Sequence, residues 1–385
     1  MAINAILPAQ VLADGANDGD VLTVQADGSV AFETPAGGGG GIGGSTGGVD
    51  NAILRADSTG GSTLQAASWI APDNYTASPN ATVNVCALEA SGATTNVAVA
   101  IVPQGSGAVM CSVPDGTATG GNARGANAID LQSYRTAANQ VASGSYSTVV
   151  GSACRASGDN STAIGNQSQA TALFGTAVGC DAISAGYGAA FGYDVTAGNT
   201  AVVVGAQSIA SGYASISLGN GCTASQWGSV ATGFSARADR VGMRAHSHDR
   251  FAASGDSQRV EFSLYCKTTD ANAETMLLGQ TYNTTAQLTI ASGKILHATV
   301  HVIGSKSDGS AIAIYQRQVA IANVGGTTAL IGSVNTIGSD TAASTSLSIT
   351  ADNTNDALKV EVTGIAAETW RWFASVSGVE MAYGT

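Results

Sequence analysis

The chain has 385 residues, of which 50 are Gly, 44% are apolar and only 11% are charged, with a formal net charge of −12. A mean hydropathy of +0.16 with so few charges argues against a disordered chain. No Lys/Arg cluster is present to neutralise phosphates, so nucleic acid is excluded as an expected partner, and the acidity suits an exposed, self-repelling assembly.

Residues 1–8 lack the basic start and apolar run of a secretory signal, and the longest apolar stretch, 97–102, is too short to cross a bilayer. Synthesis in a cytoplasm without membrane insertion is therefore expected. In that reducing setting Cys86, Cys111, Cys154, Cys180, Cys222 and Cys266, which form no CxxC pair, read as buried free thiols. Residues 21–26 and 29–33 flank Asp27-Gly28, a dipeptide suited to a two-residue hairpin turn, and Pro35 ends that unit (1–35). Residues 36–49 are a Gly-rich linker. Residues 50–121 read as extended β-structure, with strands expected at 81–88, 96–102 and 108–113.

Residues 122–245 carry an internal repeat. The strings TVVG, TAIG, TAVG, AAFG, VVVG, ISLG and VATG end at Gly151, Gly165, Gly179, Gly192, Gly205, Gly219 and Gly233, at intervals of 13 or 14 residues. Small or β-branched residues recur three places after each Gly, and Ala or Ser five places after. That length holds two short strands and two tight turns, one coil of a β-solenoid. The Gly is expected at a turn, with the preceding apolar pair (Ala163-Ile164, for instance) and the small residues inside. Seven coils at about 4.8 Å each give a rod of about 34 Å. So thin a coil buries little apolar surface, which favours association around a threefold axis.

Residues 246–385 read as a compact β-domain, a β-sandwich or jelly roll, with strands expected at 260–266, 286–290, 295–303, 311–324, 328–331, 346–350, 358–362 and 370–376. Trp370 and Trp372 share a face and read as core anchors. His297 and His301 fall on a polar face. Glu261, Asp270, Glu274, Asp352 and Asp356 are the carboxylates that could pair in space, although solvated positions are the plainer reading. No GxSxG, HExxH, P-loop or Rossmann glycine set occurs, and the expectation is that the chain is not an enzyme.

The repeats, such as NSTAIGNQSQATA from Asn160 and SIASGYASISLGNG from Ser208, resemble the YadA-type head of trimeric autotransporter adhesins over residues 144–239. The segments GDVLTVQADGSVAFETPAGGGG from Gly19, VDNAILRADSTGGSTLQ from Val49 and RFAASGDSQRVEFSLYCKTTD from Arg250 are similar to tail-fibre proteins of tailed phages. Together these resemblances imply an all-β homotrimeric fibre with a left-handed parallel β-roll and a C-terminal β-sandwich. They imply a virion protein held through its N-terminus by a phage tail or adaptor protein, recognising a host surface glycan or protein through its C-terminal domain. The alternatives are a capsid-attached head fibre, a polysaccharide-degrading tailspike and a bacterial surface adhesin. His246 and His248 form an HxH pair whose rings would point the same way from a strand. Three such pairs on a threefold axis would supply six imidazoles for one octahedral transition metal such as iron, an arrangement the resemblance to phage fibres also implies. Two histidines in a surface turn is the alternative, and no other cofactor is expected.

Overall fold

A computed structural model describes residues 100–279, 286–341 and 344–383, and before them the strands Val21–Val24, Val30–Glu33, Leu54–Ala56, Leu64–Ala66, Ile70–Tyr75 and Val85–Ala90. The described residues are all-β with no helix. The chain divides into two units, Met1–Val102 and Pro103–Thr385.

In the first unit three antiparallel pairs form: Val21–Val24 with Val30–Glu33, Leu54–Ala56 with Leu64–Ala66, and Ile70–Tyr75 with Val85–Ala90. The hairpin at the start has the expected strands in a different register. Val24 faces Val30, whereas a two-residue loop at Asp27-Gly28 would set it against Ala31. The loop itself, the linker 36–49 and most of the expected strand 96–102 lie outside the described residues, and 100–102 are not strand.

The second unit opens on a parallel β-solenoid of about seven turns, consistent with a YadA-head-like β-roll. Each coil has a five-residue strand (Thr148–Ser152, Thr162–Asn166, Thr176–Cys180, Ala189–Tyr193, Val202–Ala206, Ile216–Asn220, Val230–Phe234) and a two-residue strand, from Arg155–Ala156 to Arg237–Ala238. Long strands pair only with long strands and short with short. The two 13-residue coils keep this register because their missing residue falls in the turn before the long strand (185–188 and 198–201, against 157–161).

Two sequence expectations need correction. The recurring Gly does not turn the chain. It is the fourth residue of each long strand, paired in register with the Gly above and below. It is needed there because φ lies between 100° and 140°, and because a Cβ on Gly165 would stand 1.9 Å from the carbonyl oxygen of Gly179. The turn falls two residues later, where Ala153, Gln167, Asp181, Asp194, Gln207, Gly221 and Ser235 adopt φ of 50–63°. Nor does the whole apolar pair point inward. Val149, Ala163, Ala177, Ala190, Val203 and Ala231 are fully buried, whereas Val150, Ile164 and Val178 are half-exposed on the outer face. Strand alternation allows only one of two neighbours to face the narrow interior.

The small positions do fill the core. Cys154, Ser168, Ala182, Val195, Ser208, Cys222 and Ala236, and the Ala/Ser series from Ala156 to Ala238, are all inaccessible to solvent. Buried hydroxyls and thiols tie coil to coil, as Ser168 Oγ donates to Gly179 O (2.9 Å), and Cys154 Sγ and Cys222 Sγ donate to Gly165 O and Gly233 O (3.2 Å each). Ser147, Ser161 and Ser215 each close a turn by donating to the carbonyl three residues back, at 2.5–2.6 Å.

The thiols are not uniformly buried as expected: Cys111 is exposed and Cys180 half-buried. Burial raises Cys154 and Cys222 above the usual thiol range, and burial with Glu274 pushes Cys266 up to about 12. Iodoacetamide on the native chain is expected to alkylate Cys111 first and to spare Cys154, Cys222 and Cys266 until unfolding. Peptide mass mapping checks this, and rapid labelling of Cys266 would refute it.

The long-strand sheet does not stop at the last coil. Through Arg244–Ser247 it continues antiparallel into Ser257–Thr268, Trp370–Ala382, Lys294–Lys306, Ile312–Val324 and Thr327–Leu330. A second sheet, Ala273–Thr275, Ala357–Thr363, Leu288–Thr289 and Ser346–Asp352, shares its core with the inner face of the first. All eight expected strands of this region are present, several of them longer than their apolar runs. Trp370 and Trp372 are buried and stacked (5.5 Å, 18°), with their ring nitrogens donating to Glu368 and Thr268.

Candidate functional site

Three features stand out on the second unit: its outer sheet face, its junction with the C-terminal sheets, and the row of turns along one edge of the roll.

On the outer face the third residues of successive long strands, Val150, Ile164, Val178, Phe191, Val204 and Leu218, stack in register as one apolar column. The last three are about 40% exposed, at 39%, 44% and 41%. At its end the column meets two adjoining grooves of about 470 and 460 Å3 that share Val230, Arg244 and Glu261. Arg244 faces Glu261, and His246 faces Arg259, across the antiparallel pair. Arg259 lies 3.4 Å from Glu261, leaving both charges at the surface.

The junction itself is ionic. Glu380 is buried and receives Arg240, Lys294 (Nζ–Oε1 2.5 Å) and the Gln258 amide (3.0 Å). Arg240 also sits over the Phe262 ring (4.8 Å) and donates to Thr289 O (3.1 Å). Burial alone would raise the Glu380 carboxyl, but Arg240 and Lys294 outweigh it and hold it below the usual carboxylate range. At the opposite end of the roll Asp130 is buried between Arg124 (2.7 Å) and Arg135 (3.3 Å).

The turns between short and long strands are two-residue tips that carry an aromatic in most coils: Tyr146, Phe174, Tyr187, Tyr213 and Trp227. Backbone bonds such as Phe174 N to Asp159 O and Gly228 N to Tyr213 O align the tips of neighbouring coils. Phe174 and Tyr187 lie 6.1 Å apart, and Tyr213 stacks on Trp227 (6.5 Å, 7°). Sequence reasoning missed this row, although its signal is present: an aromatic five or six residues before the repeat Gly in five coils.

Of the residues singled out from sequence, His246 and His248 are both exposed where the roll meets the C-terminal sheet, His246 on the strand and His248 just beyond it. His246 Nδ1 is hydrogen-bonded to Thr232 Oγ1 (3.0 Å). Among the described residues one chain holds no group of three or more His, Cys, Asp or Glu side chains placed to hold a metal ion. His297 and His301 are exposed on the outer face. The five carboxylates do not converge. Glu261 lines the grooves, Asp270 and Asp352 accept from backbone N–H groups of their own turns, Asp356 accepts from Thr328, and Glu274 is exposed.

A family model described as the YadA head domain repeat matches residues 156–179 in two copies. No curated protein matches the chain. Among solved structures, the chain is similar to the tailspike protein gp49 of Acinetobacter baumannii bacteriophage Fri1, a capsular polysaccharide depolymerase, at 9% identity and a TM-score of 0.23. That alignment covers 66% of this chain and 48% of the other. It is also similar to the tailspike protein of Acinetobacter phage vB_ApiP_P1, at 11% identity and a TM-score of 0.17, covering 67% of this chain and 56% of that one. The chain thus spans about half the length of these tailspikes. The expectation that the chain is not an enzyme is overturned by this finding and withdrawn, because a structure it is similar to is a depolymerase. The physical reason is general: acid and base carboxylates of glycan-cleaving enzymes converge from separate strands and leave no linear motif to find.

Proposed function

We propose that the chain is one subunit of a homotrimeric fibre of a tailed-phage virion, held at its N-terminus by a tail or adaptor protein and contacting host surface glycan through its C-terminal domain. The observation that carries the trimer is the in-register apolar column on the outer sheet face. Left wet, each of its half-exposed side chains forgoes roughly 1 kcal/mol of burial. A second and third copy of the same column, related by a threefold axis, cover it without needing a different partner. The roll supports the fibre reading, since a repeat that stacks coil upon coil grows in one direction only.

Light scattering on the purified chain is expected to give three times the 38.0 kDa chain mass. A monomer at micromolar concentration refutes the trimer. Retention on an array of bacterial capsular and lipopolysaccharide glycans tests surface recognition, and oligosaccharide released in the same wells reports cleavage. Retention on none of them removes the recognition reading. His246 and His248 belong to the same proposal as a metal pair shared by three protomers. Elemental analysis should find one transition-metal ion per trimer, lost in the His246→Ala, His248→Ala variant.

A further inference from the structure

Two of the five aromatics in the row sit at positive φ and are exposed. Tyr146 and Phe174 both adopt φ of 58°, a region that bulky side chains rarely occupy, yet they are 62% and 56% exposed. Other coils hold the same conformation at this place with Asn160 (φ 54°), Thr200 (φ 55°), Ala214 (φ 54°) and Gly228 (φ 63°). The positive φ thus belongs to the turn, and what sets these coils apart is that the aligned tips present rings more than half exposed, at 52–62% for Tyr146, Phe174, Tyr187 and Tyr213, to something outside the chain.

The geometry of the row limits what that is. Coils repeat at about 4.8 Å, so the seven tips from Tyr146 to Trp227 span about 29 Å along the roll axis. That step is close to the length of one pyranose residue in an extended chain, and exposed flat rings are platforms for the apolar faces of sugars. Between the aromatics lie the polar tips Asp159-Asn160 and Asn199-Thr200, whose side chains can hydrogen-bond sugar hydroxyls. Beyond Trp227 the row runs into the 460 Å3 groove, which adds Arg244 and Glu261. A dry contact between protein copies would strand the Asp159 carboxylate, which accepts only at its edge from Ser145 N (2.8 Å). Self-association has the apolar column on the sheet face instead.

We infer that this edge of the roll is a second binding track, on which a linear bacterial polysaccharide lies parallel to the roll axis with sugar rings on Phe174 and Tyr187, one across the polar Asn199-Thr200 tip, and further rings on Tyr213 and Trp227. The inference builds on the proposed surface-glycan recognition and adds a site to the C-terminal one. Its test is the triple variant Phe174→Asn, Tyr187→Asn, Tyr213→Ser in the full chain. Asn160 stands five places before its repeat Gly, as Phe174 and Tyr187 do, and Ser145 six places before its own, as Tyr213 does, so each replacement already occupies the matching place in another coil.

The probe is the same array of capsular and lipopolysaccharide glycans. The variant is expected to keep the parent's mass and melting temperature and to lose tenfold or more in affinity for the glycans the parent retains. Affinity within twofold of the parent overturns the track and leaves recognition by the C-terminal domain standing. A fall in mass to the monomer also overturns it, by showing that the row is a seam between copies. Retention of no glycan by the parent overturns both readings together.

Discussion

Gly179→Ala is expected to prevent the roll from forming. The alanine Cβ would stand 1.8 Å from the carbonyl oxygen of Gly192 in the next coil, and that oxygen belongs to a backbone paired in register on both sides. The backbone at Gly179 has φ of 140°, which an L-residue with a side chain rarely adopts. Relief requires the two coils to part, breaking the ladder between Thr176–Cys180 and Ala189–Tyr193 and opening the core at Ala177 and Ala190. The combined cost is about 3–5 kcal/mol, in the range of the most damaging single substitutions. For a unit of this size that is a fall of about 10 °C or more in melting temperature, or loss of the folded chain. Gly242→Ala is the control, because φ there is 64° but no atom lies within 4 Å of the new Cβ. It should cost about 1 kcal/mol, the price of the conformation alone. Equal melting of the Gly179 variant and the parent would show that the coils are not stacked in this register.

Glu380→Gln is expected to loosen the junction between the roll and the C-terminal sheets. The carboxylate is buried and meets two cations, so its neutralisation leaves Arg240 and Lys294 without their counter-charge in a dry place. Breaking a buried pair in this way costs about 3–5 kcal/mol. Acid should act in the same direction. The folded carboxyl is held below its usual value, so its contribution is fully present above about pH 4.5 and fades as pH falls through the lower folded value. Melting curves across that interval should show the parent losing stability that the Glu380→Gln variant has already lost. Parallel curves for the two proteins would mean that the cluster contributes nothing to the junction.

The aromatic tips show how far a sequence pattern reaches. Their spacing is legible once the repeat Gly is taken as the reference point, but Tyr213 and Trp227 fall six places before it and Tyr146, Phe174 and Tyr187 five. Only the backbone alignment of neighbouring tips shows that both offsets land on one edge. The HxH pair is the opposite case. Its spacing is plain in the sequence, whereas the structure of one chain supplies only two exposed imidazoles, one of them bonded to Thr232.

The sequence by itself determined the coil length, the seven glycines, the small interior positions and the strands of the C-terminal sheets. Each of these is a local constraint, repeated at a fixed interval or written as alternation within one strand, and so it survives without knowledge of the partners. Only the tertiary structure decided which member of each apolar pair faces inward, since Ala163 and Ile164 are alike in pattern and differ only in which side of the sheet the stacking gives them. It also decided that the repeat Gly lies within a strand, under the carbonyl of the next coil, and that Glu380 meets Arg240 from 140 residues away and Lys294 from 86. Contacts of that kind depend on how separate segments are brought together by the shared sheet and core, and no neighbouring residue in the chain records them.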